Sequence, residues 1–205
     1  CGLCGSDIHF MFMEMDPKCF PAATPGIARK YLGHELIGEV MEVGDDVGGF
    51  QKGDRVCLRI DWPSCFQMEM NPMCPQCAQG EYMLCQNLGA RKLPLMDVGG
   101  GFSPRMVMHK TQPFKVPDGL SNDEALMLEP MACAVHAVSK HLPAAGDRVL
   151  VVGCGTIGLL TVAAVKAMVK DAEVIALARY PVQAEMARTL GADDVIMGET
   201  DPYHR

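Results

Sequence analysis

The sequence carries no surplus of positive charge: 18 Lys and Arg face 25 Asp and Glu, a formal net charge of -7 over 205 residues. Gripping a nucleic-acid backbone requires basic groups to neutralise its phosphates, so that class of partner is excluded. The acidic residues are interspersed with basic ones, which is the pattern of a solvated surface. No apolar run reaches membrane-spanning length, and the longest, around Leu159 to Val165, sits inside a helical pattern. No secretory-leader pattern is visible in the sequence, and no repeat or low-complexity tract interrupts it. The first residue is Cys1 rather than Met and falls within a motif, so a preceding segment is expected.

What is present is an ordinary globular balance, 49% apolar and 21% charged, long enough for one large domain or two small ones. Ten Cys fit either a secreted disulfide framework or a reduced metal-binding protein. Cys-x-x-Cys spacing beside alternating helix and strand patterns favours metal and the cytoplasm. Among 16 Met, the runs Met11-Phe12-Met13 and Met68 to Met73 read as flexible core or pocket filling.

Up to about residue 120 the pattern is short strands between turns. Leu36 to Val43 is one candidate, turned by Gly44-Asp45-Asp46; Arg55 to Ile60 follows Gly53-Asp54; Gly99-Gly100-Gly101 precedes a third at Arg105 to His109. Ser121 and Glu124 then have capping-box spacing, opening a helix that Pro130 breaks or kinks before a second run to His141. Beyond it come strand Val149 to Val152, helix Thr156 to Lys170, strand Glu173 to Leu177, helix Pro181 to Leu190 and strand Asp194 to Met197. Such βαβαβ alternation builds a parallel sheet. The expected fold is therefore a β-rich domain over 1–122, then an α/β domain over 123–205.

Gly153-Cys154-Gly155-Thr156-Ile157-Gly158 joins the first of those strands to its helix. Gly153 permits the tight turn, Gly155 lets the backbone approach a pyrophosphate, and Gly158 allows helix and strand to pack closely. The N–H groups of Thr156 and Ile157 open the helix, where its dipole favours phosphate. About 20 residues on, where an acid commonly holds a ribose 2′-hydroxyl, the chain reads Ala178-Arg179-Tyr180. The carboxylate that would repel a 2′-phosphate is missing and a guanidinium stands ready to pair with one, so NADP is favoured over NAD.

Two further motifs lie upstream, Cys4-Gly5-Ser6-Asp7-Ile8-His9 and Gly33-His34-Glu35-Leu36-Ile37-Gly38, the second followed by Gly44, Val47 and Gly53-Asp54-Arg55-Val56. With the dinucleotide motif after them, they resemble in order the zinc-dependent medium-chain alcohol dehydrogenase family, over nearly the whole chain. The resemblance implies a GroES-like β-rich domain followed by the first half of a Rossmann sheet. It also implies a small-molecule alcohol substrate and a homodimer or homotetramer. Catalytic zinc wants about three N, S or O ligands and an open position. By resemblance these are Cys4, His34 and a carboxylate, Glu35 or Glu129. A Glu at the position of Glu129 is the mark of the polyol and threonine dehydrogenase branch. Asp7 would hold the His34 imidazole in its tautomer, while Ser6 and His9 match the positions that carry the alcohol proton to solvent.

Cys74-x-x-Cys77 and Cys85, after seven intervening residues, fit the last three ligands of the family's structural zinc lobe. The usual first ligand would fall at Asn71, a poor zinc ligand. Cys65 replaces it if the lobe carries an insertion; otherwise the lobe is degraded and metal-free. Cys1, Cys19, Cys57, Cys133 and Cys154 read as small packing residues. Two other functions compete with a zinc dehydrogenase: a zinc-free quinone or enoyl reductase, which has no use for these ligands, and a zinc-binding structural or regulatory homologue without turnover.

Overall fold

The computed structural model describes residues 1–12, 32–58, 64–87 and 99–198. It divides into two units, Cys1–Glu129 and Pro130–Arg205. The division lies after the Ser121 capping box, where the sequence changes character, so the first unit keeps more of the helical stretch than the expected boundary at 122 gives it. No helix among the described residues is long and apolar enough to cross a membrane.

The first unit opens with α1 (Gly5–Phe12), which the spacing of apolar residues did not foretell. Strands β1 (Ile37–Glu39), β2 (Arg55–Leu58) and β3 (Pro113–Lys115) form an antiparallel sheet in that order, with Gly38 opposite Val56 and Val56 opposite Lys115. β1 is shorter than Leu36 to Val43. After Glu39 the ladder survives as the Val40–Asp54 and Gly53–Val40 backbone bonds, each 2.9 Å, and then the partner chain curls away. That curl is the Gln51–Asp54 turn, closed by the Asp54 carboxylate accepting from the Gln51 N–H at 2.8 Å. The described part of β2 ends at Leu58, and Ile60 lies outside the described residues.

Arg105 to His109 is not a strand. Gln112 bonds His109 twice, its N–H to the His109 carbonyl at 2.9 Å and its side-chain oxygen to the His109 N–H at 2.8 Å. This turn reverses the chain, and only beyond it does β3 reach β2. Pro113, without an N–H, is tolerated because β3 is an edge strand. A short helix α2 (Pro75–Ala78) and a single 3-10 turn, Tyr82–Leu84, lie in the cysteine-rich lobe.

Helix α3 (Asn122–Leu126) starts at the expected capping box: the Ser121 hydroxyl accepts from the Glu124 N–H and the Glu124 carboxylate from the Ser121 N–H. The break before α4 (Leu128–Lys140) falls at Met127, not at Pro130. Pro130 sits in the first turn of α4, where a missing N–H costs no intrahelical bond.

In the second unit β4 (Arg148–Val152), β5 (Glu173–Ala178) and β6 (Asp194–Met197) are parallel, with β5 central. α5 (Thr156–Met168) packs on β4 and β5, and α6 (Pro181–Thr189) on β5 and β6. Strand alternation sends Val151, Val174, Ala176 and Ala178 into the core, where they meet Val162 and Val165 of α5. On the opposite pleat Leu150 and Val152 of β4 and Ile196 of β6 are exposed.

Candidate metal and cofactor sites

The ligand atoms of Cys4, His34 and Glu35 lie within 4.8 Å of one another, each residue half-buried. Backbone shape brings them together. Gly33 has φ of 83°, and a side chain there would collide with the Phe102 N–H and the Cys1 sulfur. Its carbonyl accepts from the Gly101 N–H at 2.8 Å, which pins the segment before β1 that carries His34 and Glu35. Asp7, on α1, ties the other side. It is only 1% exposed, and its carboxylate accepts from the Cys4 N–H at 3.0 Å and the Gly33 N–H at 2.8 Å. The same carboxylate stands 3.4 Å from His34 Nδ1. That pairing puts the proton on Nδ1 and turns Nε2, with its lone pair, toward the cluster. Ser6 Oγ is 3.4 Å from His34 Nε2, and His9 is exposed on α1. Glu129, in the first turn of α4, is not among the residues whose ligand atoms gather.

A second cluster joins Cys65, Cys74, Cys77 and Cys85, all buried, with sulfurs again within 4.8 Å of one another. The Cys65 and Cys85 sulfurs are 3.6 Å apart. A tetrahedron with metal–sulfur bonds of about 2.3 Å has sulfur–sulfur edges of about 3.8 Å, so the donor set fits zinc. Asn71 is exposed on the intervening loop and takes no part. The surroundings sort the thiols: the Cys77 N–H brings Cys74 down to about 6. Cys65 is also lowered, chiefly by the Cys74 N–H, whereas burial pushes Cys77 up to about 12. A divalent cation would offset the charge that keeps the fourth proton on. Of the cysteines expected to pack, Cys57 and Cys154 are buried, Cys1 and Cys133 are exposed, and Cys19 lies outside the described residues.

In the second unit a cleft of about 450 Å³ opens at the carboxyl ends of β4 and β5, lined by Gly153, Gly155, Ala178, Arg179, Tyr180 and Gln183 among others. Gly153 has φ of 96°, and a Cβ at Gly158 would overlap the Gly153 carbonyl oxygen. At Gly155 a Cβ would meet nothing within 4 Å, so the backbone there borders open space. Thr156 and Ile157 begin α5 with N–H groups that lack intrahelical acceptors. The Arg179 guanidinium lies 5.8 Å from the centre of the Tyr180 ring. Sequence reasoning overlooked Gln183, whose side-chain oxygen accepts from the Arg179 and Tyr180 N–H groups at 3.1 and 3.2 Å. The signal was available: a Gln at the third position of a helix opened by Pro181. The Gly101 and Cys1 contacts with Gly33 had no such signal.

The model of the alcohol dehydrogenase GroES-like domain matches residues 1–118. The (R,R)-butanediol dehydrogenase of Bacillus subtilis is 36% identical over 98% of this chain and 55% of its own length. A zinc-binding dehydrogenase from Sinorhizobium meliloti, solved bound to NADP, superposes with a TM-score of 0.75 at 32% identity, over 96% of this chain and 52% of that one. Acetophenone reductase from Geotrichum candidum, solved with NAD, gives 0.75 at 25% identity, over 98% of this chain and 55% of that one. The chain thus spans about half the length of these proteins. The antiparallel unit is the GroES-like fold expected, and the parallel three-stranded sheet is the start of a Rossmann fold. With that domain model matching more than half of its length and a relative 36% identical over 98% of it, the chain belongs to the alcohol dehydrogenase GroES-like family.

Proposed function

We propose that this chain is the catalytic domain and the first part of the cofactor domain of a zinc-dependent oxidoreductase. The enzyme transfers a hydride between a secondary alcohol or polyol (threonine-, sorbitol- or sugar-acid-like) and a nicotinamide cofactor. The observation that carries the reading is the gathering of Cys4, His34 and Glu35 ligand atoms within 4.8 Å, with Asp7 behind the imidazole. A thiol, an imidazole and a carboxylate, three mixed donors that leave a fourth position for substrate, are the set of a catalytic rather than a structural zinc. A zinc-free reductase would have no use for them.

Zinc there supplies a Lewis acid toward the alcohol oxygen, and the nicotinamide accepts the hydride. The chain's own residues do the rest. Asp7 fixes the tautomer and aim of His34. Glu35 is the carboxylate we assign, in place of Glu129. Ser6 Oγ takes the alcohol proton, and His9 passes it to solvent. Cys65, Cys74, Cys77 and Cys85 hold a closed, structural zinc. Gly153, Gly155, Thr156, Ile157 and Gly158 cradle the pyrophosphate. Arg179 faces the ribose, which with Ala178 favours NADP over NAD. We place the working enzyme in the cytoplasm as a homodimer or homotetramer.

The test is a panel of secondary alcohols, vicinal diols and polyols assayed with both cofactors in the full-length protein. The expected result is alcohol-dependent reduction with a higher kcat/KM for NADP. Ala178→Asp combined with Arg179→Ser should move the cofactor ratio toward NAD by one to two decades, the ~1.5–3 kcal/mol of a charge-assisted hydrogen bond. Failure of every alcohol with either cofactor would leave a zinc-binding homologue without turnover. A wild-type ratio favouring NAD would withdraw Arg179 alone.

A further inference from the structure

Four cysteines hold the lobe, but they are not equivalent along the chain. Cys74, Cys77 and Cys85 come from one tight run through α2 and the 3-10 turn. Cys65 stands apart, separated from Cys74 by the eight residues Phe66 to Met73. Something must keep that outlying sulfur in place, and the surroundings of Cys65 show what does. Its backbone carbonyl accepts from the Met70 N–H at 2.9 Å, which coils the start of the excursion. The Ser64 N–H donates to the side-chain oxygen of buried Gln67 at 3.0 Å, fixing the approach. The sulfur itself receives the side-chain amide of Asn87, whose Nδ2 donates to Cys65 Sγ at 3.2 Å and lies 4.0 Å from Met70 Sδ. Asn87 is two residues past Cys85, so the turn after the last cysteine folds back to hold the first.

The chemistry gives this contact a purpose. Four thiolates around a divalent cation leave a net double negative charge in a buried place, and N–H donors to sulfur disperse it. Asn71 sits where the first ligand of the compact pattern would be, and the chain uses Cys65 instead. An outlying ligand has the more loop entropy to lose and gains the most from a fixed partner. Resting on the reading of the lobe as a structural zinc site, we propose that Asn87 is a positioning residue for that site, holding Cys65 as the fourth ligand through an amide-to-sulfur hydrogen bond.

The experiment compares wild type with Asn87→Leu, Asn87→Asp and Asn87→Gln in the full chain. Zinc transfer to a chromophoric chelator is timed, and the sulfur-to-metal charge-transfer band is recorded after cobalt(II) substitution. Asn87→Leu, similar in size but without a donor, should lose zinc roughly 10-fold faster or more, the usual cost of removing an outer partner. Its band should move to lower energy as the sulfur becomes more electron-rich. Asn87→Asp should be worse, because a carboxylate repels the thiolates, and Asn87→Gln should recover part of the wild-type rate. Far-UV circular dichroism in excess zinc keeps misfolding separate.

A cycle with Cys65→Ser assigns the effect to one sulfur: Asn87→Leu should add nothing once Cys65 is gone. Release at the wild-type rate with an unmoved band in Asn87→Leu, or full additivity in the cycle, overturns the proposal. A wild-type lobe that takes up neither zinc nor cobalt overturns the structural-zinc reading itself.

Discussion

In the second unit, β4 to β6 with α5 and α6 bury Val162, Val174, Ala176 and Ala178 completely, in one continuous aliphatic cluster. The first unit has nothing comparable among its described residues. One of its clusters is four cysteine sulfurs with Met70 and Tyr82 against them, and another is Cys57, Val116 and Ala125. Its sheet has strands of three and four residues. Where the second unit uses apolar burial, the first uses polar hubs: Asp7 holding two N–H groups and an imidazole, and a donor set that suits zinc. Described residues with so little apolar core among them rely more on polar contacts, and would be ordered further by a bound metal. A parallel sheet with covering helices gains its order from packing.

The sharpest way to break this contrast is to take the metal away. With chelator present, amides of residues 64–87 should lose protection from hydrogen exchange, while those of β4 and β5 keep theirs. The expected loss is large, on the order of 10 kcal/mol for a structural zinc site. Protection that survives in the lobe, or that falls equally in both units, would show that the lobe is held by its own packing.

Next in size is the Asp7 hub. Asp7→Ala leaves the Cys4 and Gly33 N–H groups without their acceptor and frees the His34 ring. Each orphaned buried donor costs about 1–3 kcal/mol, so for two a stability loss of roughly 2–6 kcal/mol is expected. Zinc affinity at Cys4, His34 and Glu35 should fall about 10–100-fold with the cysteine lobe still loaded. Calorimetric melting and metal titration of the variant measure the two effects separately. A normal melt with normal metal affinity would mean that the strand ends, and not Asp7, build the cluster.

On the other side of the comparison, Val162→Ala removes two methyl groups from a fully buried position in α5. It should cost about 2 kcal/mol in urea unfolding followed by probes in the parallel sheet. Zinc retention in the first unit should stay as it was. A change in retention would show that the units are energetically coupled.

The same contrast explains what could be read from the sequence. Period-2 and helical patterns made every element from β4 to β6 legible, because packing there follows local periodicity; ends moved by a residue or two, as at Met168 and Ala178. In the first unit the motifs and the family resemblance named candidate ligands and one support, Asp7, but not the other supports. Cys65 joins the other three cysteines as expected, whereas Arg105 to His109 failed as a strand because the His109–Gln112 turn intervenes. Glu129 and Glu35 were equal candidates by residue type; the structure gathers the Glu35 carboxylate with Cys4 and His34, a placement that no residue type or spacing announces. Gly101, Cys1 and Asn87 act through tertiary contacts between distant segments, which no spacing rule records.

The smallest effect concerns an ionic device in the packed unit, just before β6. Asp193 accepts from the Val174 N–H at 2.7 Å and from Lys166 Nζ at 2.9 Å. The Val174 hydrogen bond first, then Lys166, hold its carboxyl below the usual carboxylate range. A folded-state pKa lower than the unfolded one means that the stabilisation is complete above the unfolded value, about 4. It is lost as pH falls below that toward the folded value. Acid should therefore loosen the β5–β6 junction before it touches the aliphatic core. Asp193→Asn keeps an oxygen for the Val174 N–H but no charge for Lys166, so its stability should change less between pH 5 and pH 3 than that of wild type. Salt should weaken only the Lys166 part, since that pair is partly exposed and the backbone bond is not screened. The readout is exchange at the Val174 amide across that pH range, corrected for the intrinsic rate. Equal pH dependence in the two proteins would show that Asp193 contributes only as a neutral hydrogen-bond acceptor and that its charge adds nothing to this unit.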